Sequence, residues 1–221
     1  MTPCRSEPCP WQARLLGAIG AFLLRLWCLT WRKRLVGVEH LDACISDGQP
    51  TLVLFWHGCY LPLFALLRGR PACILTNNSL RGQVIVQISQ RFGYAAMALP
   101  DEVGRQFLAE LRQVLDEHTV WGTAADGPLG PCYRIKPSLV SLATHFGLSV
   151  QLVGVAARHA WQLNRRWDRL LLPLPFTRVG LVISEPIRLP RELDKTMAAR
   201  QAEMLQEAME QCTLSAQNLV R

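Results

Sequence analysis

The sequence predicts an α/β fold: a single domain with a mostly parallel central sheet flanked by helices, preceded by an N-terminal amphipathic helix. Three observations carry that expectation. From residue 51 onward, apolar runs of strand length alternate with segments of helical periodicity. The first of these runs, Thr51-Leu52-Val53-Leu54-Phe55-Trp56, has the length and the β-branched and aromatic character of a buried strand. The 221 residues suffice for one sizeable domain, and no linker composition divides them.

Between residues 11 and 34 the chain is apolar but interrupted. Its longest clean stretch, Leu15 to Leu24, runs about ten residues, half of what a spanning helix needs. Arg25 and a Trp-rich basic segment follow, where a signal peptide would place small residues for cleavage. At about 100° per residue, Arg14, Arg25 and Arg32 fall within about 20° of one another on a helix. Leu16, Phe22, Leu23, Leu26 and Trp27 cover much of the remaining surface. A narrow cationic stripe on a wide apolar helix reads as a helix lying in a membrane interface. A helix packed on the domain with its arginines exposed would show the same pattern. Residues 1–34 are read as the interfacial segment and residues 35–221 as the α/β domain.

Strands are expected at 51–56, 72–76, 94–99, 119–124, 149–156 and 178–184. Helices are expected at 59–67, 81–92, 101–117, 137–146 and 191–218. Asp101 suits an N-cap, with Pro100 ahead of it and Val103, Phe107, Leu108, Leu111 and Leu115 at helical spacing. The last helix gathers Leu193, Met197, Met204, Leu205, Ala208, Met209 and Cys212 on one broad face, a core-packing pattern.

Two segments carry chemistry. His57 ends the first strand, just before Gly58, where open α/β sheets bind ligands, and its unperturbed pKa suits proton transfer near neutral pH. Asp126-Gly127-Pro128-Leu129-Gly130-Pro131 follows the strand-like 119–124, an ordered turn with Asp126 at its entry and Arg134 and Lys136 just beyond. In a parallel sheet both segments emerge on the same carboxyl edge. His57 bonded to the backbone and Asp126 capping its own turn are the structural alternatives.

Composition narrows the partners. Half the residues are hydrophobic, and 24 basic against 17 acidic residues give a net charge of +7. A basic surface on an oily protein suits an anionic bilayer. Nucleic acid is the rival, but the chain holds three Tyr, and its short runs Arg32-Lys33-Arg34 and Arg165-Arg166 lack interleaved stacking aromatics. No nucleic-acid partner is expected. Eight cysteines include no Cys-x-x-Cys pair, and no His lies at zinc spacing, so neither a metal site nor a cofactor is expected. Scattered cysteines within apolar stretches suit a reducing cytoplasm, and Cys59 reads as a lining residue ahead of a nucleophile. No Gly-x-Ser-x-Gly elbow, phosphate-loop motif or dinucleotide fingerprint is present.

Phe55-Trp56-His57-Gly58 and Asp126-Gly127-Pro128-Leu129-Gly130-Pro131 resemble, in their order and spacing, the bacterial lysophospholipid acyltransferase-like family. Ala160-Trp161-Gln162-Leu163, Trp167-Asp168-Arg169 and Leu174-Pro175-Phe176-Thr177-Arg178 extend the likeness. That family is a branch of the glycerolipid acyltransferase superfamily formerly catalogued as a domain of unknown function. The resemblance runs from about Thr30 to about Pro190. It implies a peripheral enzyme of phospholipid biosynthesis on the cytoplasmic face of the inner membrane. A fatty acyl group would pass from acyl-carrier protein or acyl-CoA to a lipid acceptor, a lysophospholipid or similar amphiphile. His57 would deprotonate the acceptor hydroxyl, which attacks the thioester directly.

The broader superfamily usually places an acidic residue five positions after that His, and here Pro62 stands there. Asp126 is the candidate to orient the ring from the neighbouring loop. Gly127, Pro128 and Gly130 with Arg134 and Lys136 would bind an acceptor phosphate or a phosphopantetheine, and the resemblance places the superfamily's acceptor-binding motif in this block. Where relatives tend to read a His-Arg-Asp-Gly-Glu-like string, this chain has Asn78-Ser79-Leu80-Arg81-Gly82-Gln83, which makes Arg81 a candidate anion contact. The stiff apolar stretch 170–176, beside Arg165, Arg166 and Arg169, suits either a dip into the lipid interface or a fold back over the core. The rival reading is a non-catalytic lipid-binding or scaffold protein on the same fold.

Overall fold

A computed structural model describes residues 10–99, 105–127 and 129–221. The expected cap at Asp101, with Pro100 and Val103, lies outside the described residues, as does Pro128. In chain order the elements are α1 (Trp11–Leu29), β1 (Arg32–Val36), α2 (Val38–Ser46), β2 (Thr51–Phe55) and a 3-10 turn (His57–Cys59). There follow α3 (Tyr60–Leu66), β3 (Cys73–Asn77), α4 (Leu80–Phe92), β4 (Ala95–Leu99), α5 (Arg105–Glu117) and β5 (Val120–Ala124). The chain finishes with α6 (Pro137–His145), β6 (Ser149–Ala157), β7 (Ala160–Gln162), β8 (Leu171–Pro173), β9 (Arg178–Ile183), β10 (Ile187–Arg188) and α7 (Lys195–Val220).

Every residue of β2 is buried, as a central strand covered on both faces requires. The main sheet runs β1-β9-β6-β2-β5-β3-β4, with β10 also pairing β6. The strands from β6 to β4 are mutually parallel; β9 and β10 run antiparallel to β6, and β1 runs parallel to β9. In register, Phe55 pairs with Ala124, so the turns after β2 and β5 leave the sheet side by side. The mostly parallel α/β sheet expected from the alternation is therefore the one present.

Helix ends follow their local chemistry. Ser79 accepts from the Gly82 amide at the start of α4 and Asp194 from the Met197 amide at the start of α7, caps worth about 1 kcal/mol each, and Pro137 opens α6 with its φ already suited to a helix. Helix α7 lies close across β6 and β9: a Cβ on Gly154 would stand 2.2 Å from the Cys212 carbonyl carbon, and one on Gly180 2.8 Å from the Ala216 oxygen.

The N-terminal segment differs from its expectation in part. The helix stops at Leu29, and Arg32 belongs to the edge strand β1. Arg25 folds back to donate to the Arg91 carbonyl at the end of α4 and lies over the Phe92 ring, so three arginines do not form one stripe. The apolar pattern is inverted relative to a core helix. Small Ala13, Gly17, Ala21 and Cys28 are buried, whereas Trp11, Leu15, Ile19, Phe22, Leu26 and Leu29 stand exposed at spacings of three and four. A Cβ on Gly17 would lie 2.3 Å from Gln87 Cβ, so α1 crosses α4 at backbone range. By length and composition α1 is apolar enough to cross a membrane.

Strand β1, helix α2 and the short β7, β8 and β10 were not expected. β1 opens on the charged run Arg-Lys-Arg ahead of Leu35 and Val36, too short an apolar signal by itself, and edge pairing with β9 makes it a strand. β7 and β8 pair as a small ribbon that carries the 160–173 segment across the site.

Candidate active site

Parallel pairing of β2 and β5 puts His57 and Asp126 at matching positions, two residues past Phe55 and Ala124. The expected contact between the Asp126 carboxylate and the imidazole is not what forms there. Asp126 Oδ1 accepts from the backbone N–H of His57 at 2.9 Å, and Oδ2 accepts from the Tyr133 amide at 3.2 Å. The side chain is fully buried. Burial pushes its carboxyl above the ordinary range, against the two backbone donors and the nearby His57. Asp126 therefore ties the end of β2 to the 127–136 turn.

The ring is held by Asp168 instead. His57 Nδ1 lies 2.8 Å from Asp168 Oδ2, and Asp168 is itself fully buried. Arg166 grips it from two sides, Nε on Oδ1 at 2.9 Å and Nη2 on Oδ2 at 2.8 Å, a bidentate pair of the stronger kind. Burial acts to raise the Asp168 carboxyl, but the hydrogen bonds and charges of Arg166 and His57 outweigh it and leave it below its ordinary value. An ionised carboxylate only accepts, so Nδ1 carries a proton, and in the neutral ring the lone pair then lies on Nε2. Among the described residues Nε2 has no hydrogen-bond partner. The ring packs against Tyr60, centroids 5.6 Å apart, and Trp167, 5.0 Å apart.

Two glycines make room for this arrangement. A Cβ on Gly58 would lie 2.1 Å from the Asp168 carbonyl oxygen, so the 166–169 loop closes over the strand end only because residue 58 has no side chain. Gly130, at φ 72°, brings its backbone against Trp167, where a Cβ would stand 3.0 Å from the indole.

The remaining expected residues are distributed unevenly. Arg81 is exposed in the first turn of α4 and lines the cavity described below, and its charge reaches Tyr60. Gly127 lines that cavity too. Lys136 donates to the Gly130 carbonyl and so braces the turn from within. Arg134 is exposed and stands apart from the cavity wall. Three amides of the turn, those of Gly127, Tyr133 and Lys136, are spent on Ala124, Asp126 and Ala125. Cys59 is buried; desolvation first, and then Asp126, Cys132 and Asp168, push its thiol up to about 12, which disfavours a nucleophilic thiolate. Pro62 is a buried residue of α3, and the carboxylate on the His57 ring comes from the distant loop, at Asp168.

His57 stands at the wall of a cavity of about 750 Å3 that runs into the sheet face. Val53 and Phe55 of β2 and Gly122 and Ala124 of β5 line its floor, and side chains of α3 and α4 its walls. The lining is mostly apolar, and beside His57 and Tyr60 its polar members are Arg70, Arg81, Arg166, Thr76, Asn77, Ser79 and Thr123. The His57 ring thus borders a space suited to an alkyl chain. Among the described residues no group of three or more His, Cys, Asp or Glu side chains suits a metal ion.

Asp168 and Arg166 were not picked out as site residues in the sequence. The signal available was Asp168's isolation: it is the only acidic residue between Asp126 and Glu185, set among Arg165, Arg166 and Arg169.

Comparison with known proteins gives no matching family model. An uncharacterized protein of Rickettsia prowazekii (strain Madrid E) is 20% identical over 147 residues, which cover 65% of this chain and 66% of that protein, just under two thirds of its length. The fold is similar to the crystal structure of the 1-acyl-sn-glycerophosphate (LPA) acyltransferase PlsC from Thermotoga maritima. The TM-score is 0.55 at 14% identity, with 90% of this chain and 78% of that one covered. At that identity the likeness is one of fold.

Proposed function

We propose that this protein is a membrane-associated acyltransferase that moves a fatty acyl group from an acyl thioester to the hydroxyl of a lysophospholipid or related amphiphile. The observation that carries the reading is the pairing of His57, its Nδ1 proton committed to Asp168, with the apolar cavity of about 750 Å3. The acceptor's hydroxyl proton passes to His57 Nε2 as its oxygen bonds to the thioester carbonyl carbon. The C–S bond then breaks and the thiolate leaves, with the imidazolium as proton source. Asp168 fixes the tautomer and stabilises that imidazolium, and Arg166 keeps Asp168 ionised. The cavity takes the acyl chain. Arg81, at the N-terminus of α4, supplies charge and dipole for an acceptor phosphate, and Gly127, which lines the same cavity, belongs to the turn that would meet the donor. Acyl-carrier protein and acyl-CoA are the candidate donors.

The exposed apolar face of α1 supports association with a membrane surface, which on this reading is peripheral and on the cytoplasmic side of the inner membrane. Its exposed large side chains exceed what a solvated helix carries.

The test is lipid mass spectrometry on cells that accumulate wild type or His57→Ala to equal levels. A lipid that gains an acyl chain with wild type and not with the variant is the expected result and identifies the product. Identical lipid profiles would overturn the reading in favour of a non-catalytic lipid-binding or scaffold protein.

A further inference from the structure

Away from His57, six basic residues surround an open cavity of about 680 Å3: Arg32, Lys33 and Arg34 of β1, Arg158 and His159 just after β6, and Arg178 at the start of β9. Arg32 pairs with Arg178 in the parallel β1–β9 ladder, so Arg32, Arg34 and Arg178 project from one face of that edge, and Lys33 alternates to the other. Among the described residues none of them has a partner anion. The ion pairs among the described residues are His57–Asp168, Arg70–Asp42 and Arg166–Asp168, and none involves this cluster. Cations held side by side repel, and an anion seated between them removes that cost.

The position of the cluster narrows the choice of anion. Ala157, at the end of β6, pairs with Val179, the second residue of β9. The cluster therefore sits on the same carboxyl edge of the sheet as His57, and β9 and β1 lie about 10 and 14 Å to the side of β2 at the usual strand spacing. Three exposed apolar side chains border it in the chain. Leu29, 78% exposed, precedes Arg32 by three residues; Phe176, 75% exposed, precedes Arg178 by two; Trp161, 61% exposed, follows His159 by two. Phe176 also holds a left-handed φ of 60°, unusual for a bulky residue. The Trp27 indole donates to the Pro173 carbonyl, fixing the end of α1 to the β7–β8 ribbon at this edge. Cations for phosphate flanked by side chains for hydrocarbon match the two layers of a bilayer surface, whereas an acidic protein surface would leave the apolar members unmatched.

We propose that this cluster is a headgroup site for an anionic phospholipid of the membrane surface, separate from the reaction centre. Arg32, Arg34 and Arg178 take the lipid phosphate, and Leu29, Trp161 and Phe176 enter the apolar layer beside it. The proposal rests on the membrane association proposed above. Bound there, the lipid sets the carboxyl edge against the bilayer, so that an amphiphilic acceptor reaches His57 without leaving the membrane.

The experiment is vesicle co-sedimentation of the full chain on phosphatidylcholine alone and on phosphatidylcholine with phosphatidylglycerol. Wild type is compared with Arg32→Gln/Arg34→Gln/Arg178→Gln and with Arg32→Lys/Arg34→Lys/Arg178→Lys. At about fivefold per cation near an anionic surface, the Gln variant should bind the anionic vesicles about 100-fold more weakly than wild type. It should bind phosphatidylcholine as wild type does, through α1, and the Lys variant should keep most of the anionic preference. Retention of that preference by the Lys variant separates lost charge from misfolding. Equal binding of wild type and Gln variant to the anionic vesicles would overturn the proposal and leave the cations to an acidic protein. Displacement of wild type by inorganic phosphate at matched ionic strength would overturn it in favour of a free-phosphate site. Failure of wild type to bind either vesicle would overturn the membrane association itself.

Discussion

The carbonyl oxygen of Asp168 occupies the space that a side chain on Gly58 would need, 2.1 Å from where its Cβ would stand. The two residues are 110 positions apart in the chain, yet the missing side chain of Gly58 leaves Asp168 its path to the His57 ring. A backbone oxygen cannot rotate away as a side chain can. The contact thus couples the strand-end glycine to the carboxylate that orients the candidate base.

Gly58→Ala should displace the 166–169 loop by about 1 Å or more and separate Asp168 from Nδ1. On the proposed function this costs about 100-fold in acyl-transfer turnover, with an overpacking penalty of about 1–3 kcal/mol in stability. Urea unfolding and a turnover assay on the same preparation check both. A variant with wild-type turnover would show that the loop position does not govern the chemistry.

Asp168→Asn and Asp126→Asn should separate two roles that the sequence assigned to one residue. An amide at 168 cannot both accept from Nδ1–H and keep the charge that stabilises an imidazolium, so turnover should fall by about 100- to 10,000-fold. At 126 one amide oxygen still accepts from the His57 N–H, and the NH2 group turned on the Tyr133 amide loses the second bond. That costs about 1–3 kcal/mol in stability, while turnover should stay within about tenfold of wild type, the ring contact being intact. Reversal of the two phenotypes would restore Asp126 as the orienting acid.

These residues also mark where the sequence was legible and where it was not. β2, β5 and β6 are buried parallel strands whose apolar runs announce them, and the pairing of the His57 and Asp126 turns follows from a parallel sheet alone. The contact that matters lay beyond such reasoning. Asp168 reaches His57 because β7 and β8 form a three-residue ribbon from a Trp-, Arg- and Pro-rich segment with no strand periodicity. Likewise Arg32-Lys33-Arg34 carries no apolar pattern, and only its pairing with β9 makes it β1. Isolation of one acid among arginines and the Trp167-Asp168-Arg169 run of the family likeness were the local signs of Asp168, and neither specifies a partner.

The two carboxylates should pull the pH dependence of stability in opposite directions. Asp168 is held below its ordinary value of 3.8 in the folded chain. Its contribution is therefore present above the unfolded carboxylate range and is lost as pH falls through the depressed folded value. Asp126 is raised above 3.8, chiefly by burial. Its contribution is present below 3.8 and is lost as pH rises through the raised folded value. Urea midpoints measured from neutral pH into the acid range should then show two trends. The deficit of Asp168→Asn relative to wild type should shrink only below the unfolded carboxylate value, whereas the deficit of Asp126→Asn should grow on acidification, starting above it. The order is fixed by geometry, since Asp168 faces the Arg166 guanidinium and the His57 ring whereas Asp126 faces two neutral backbone amides. Parallel curves for both variants would mean that neither carboxylate differs from its unfolded value, and the assignment of Asp168 as an ionised partner held by Arg166 would fall with them.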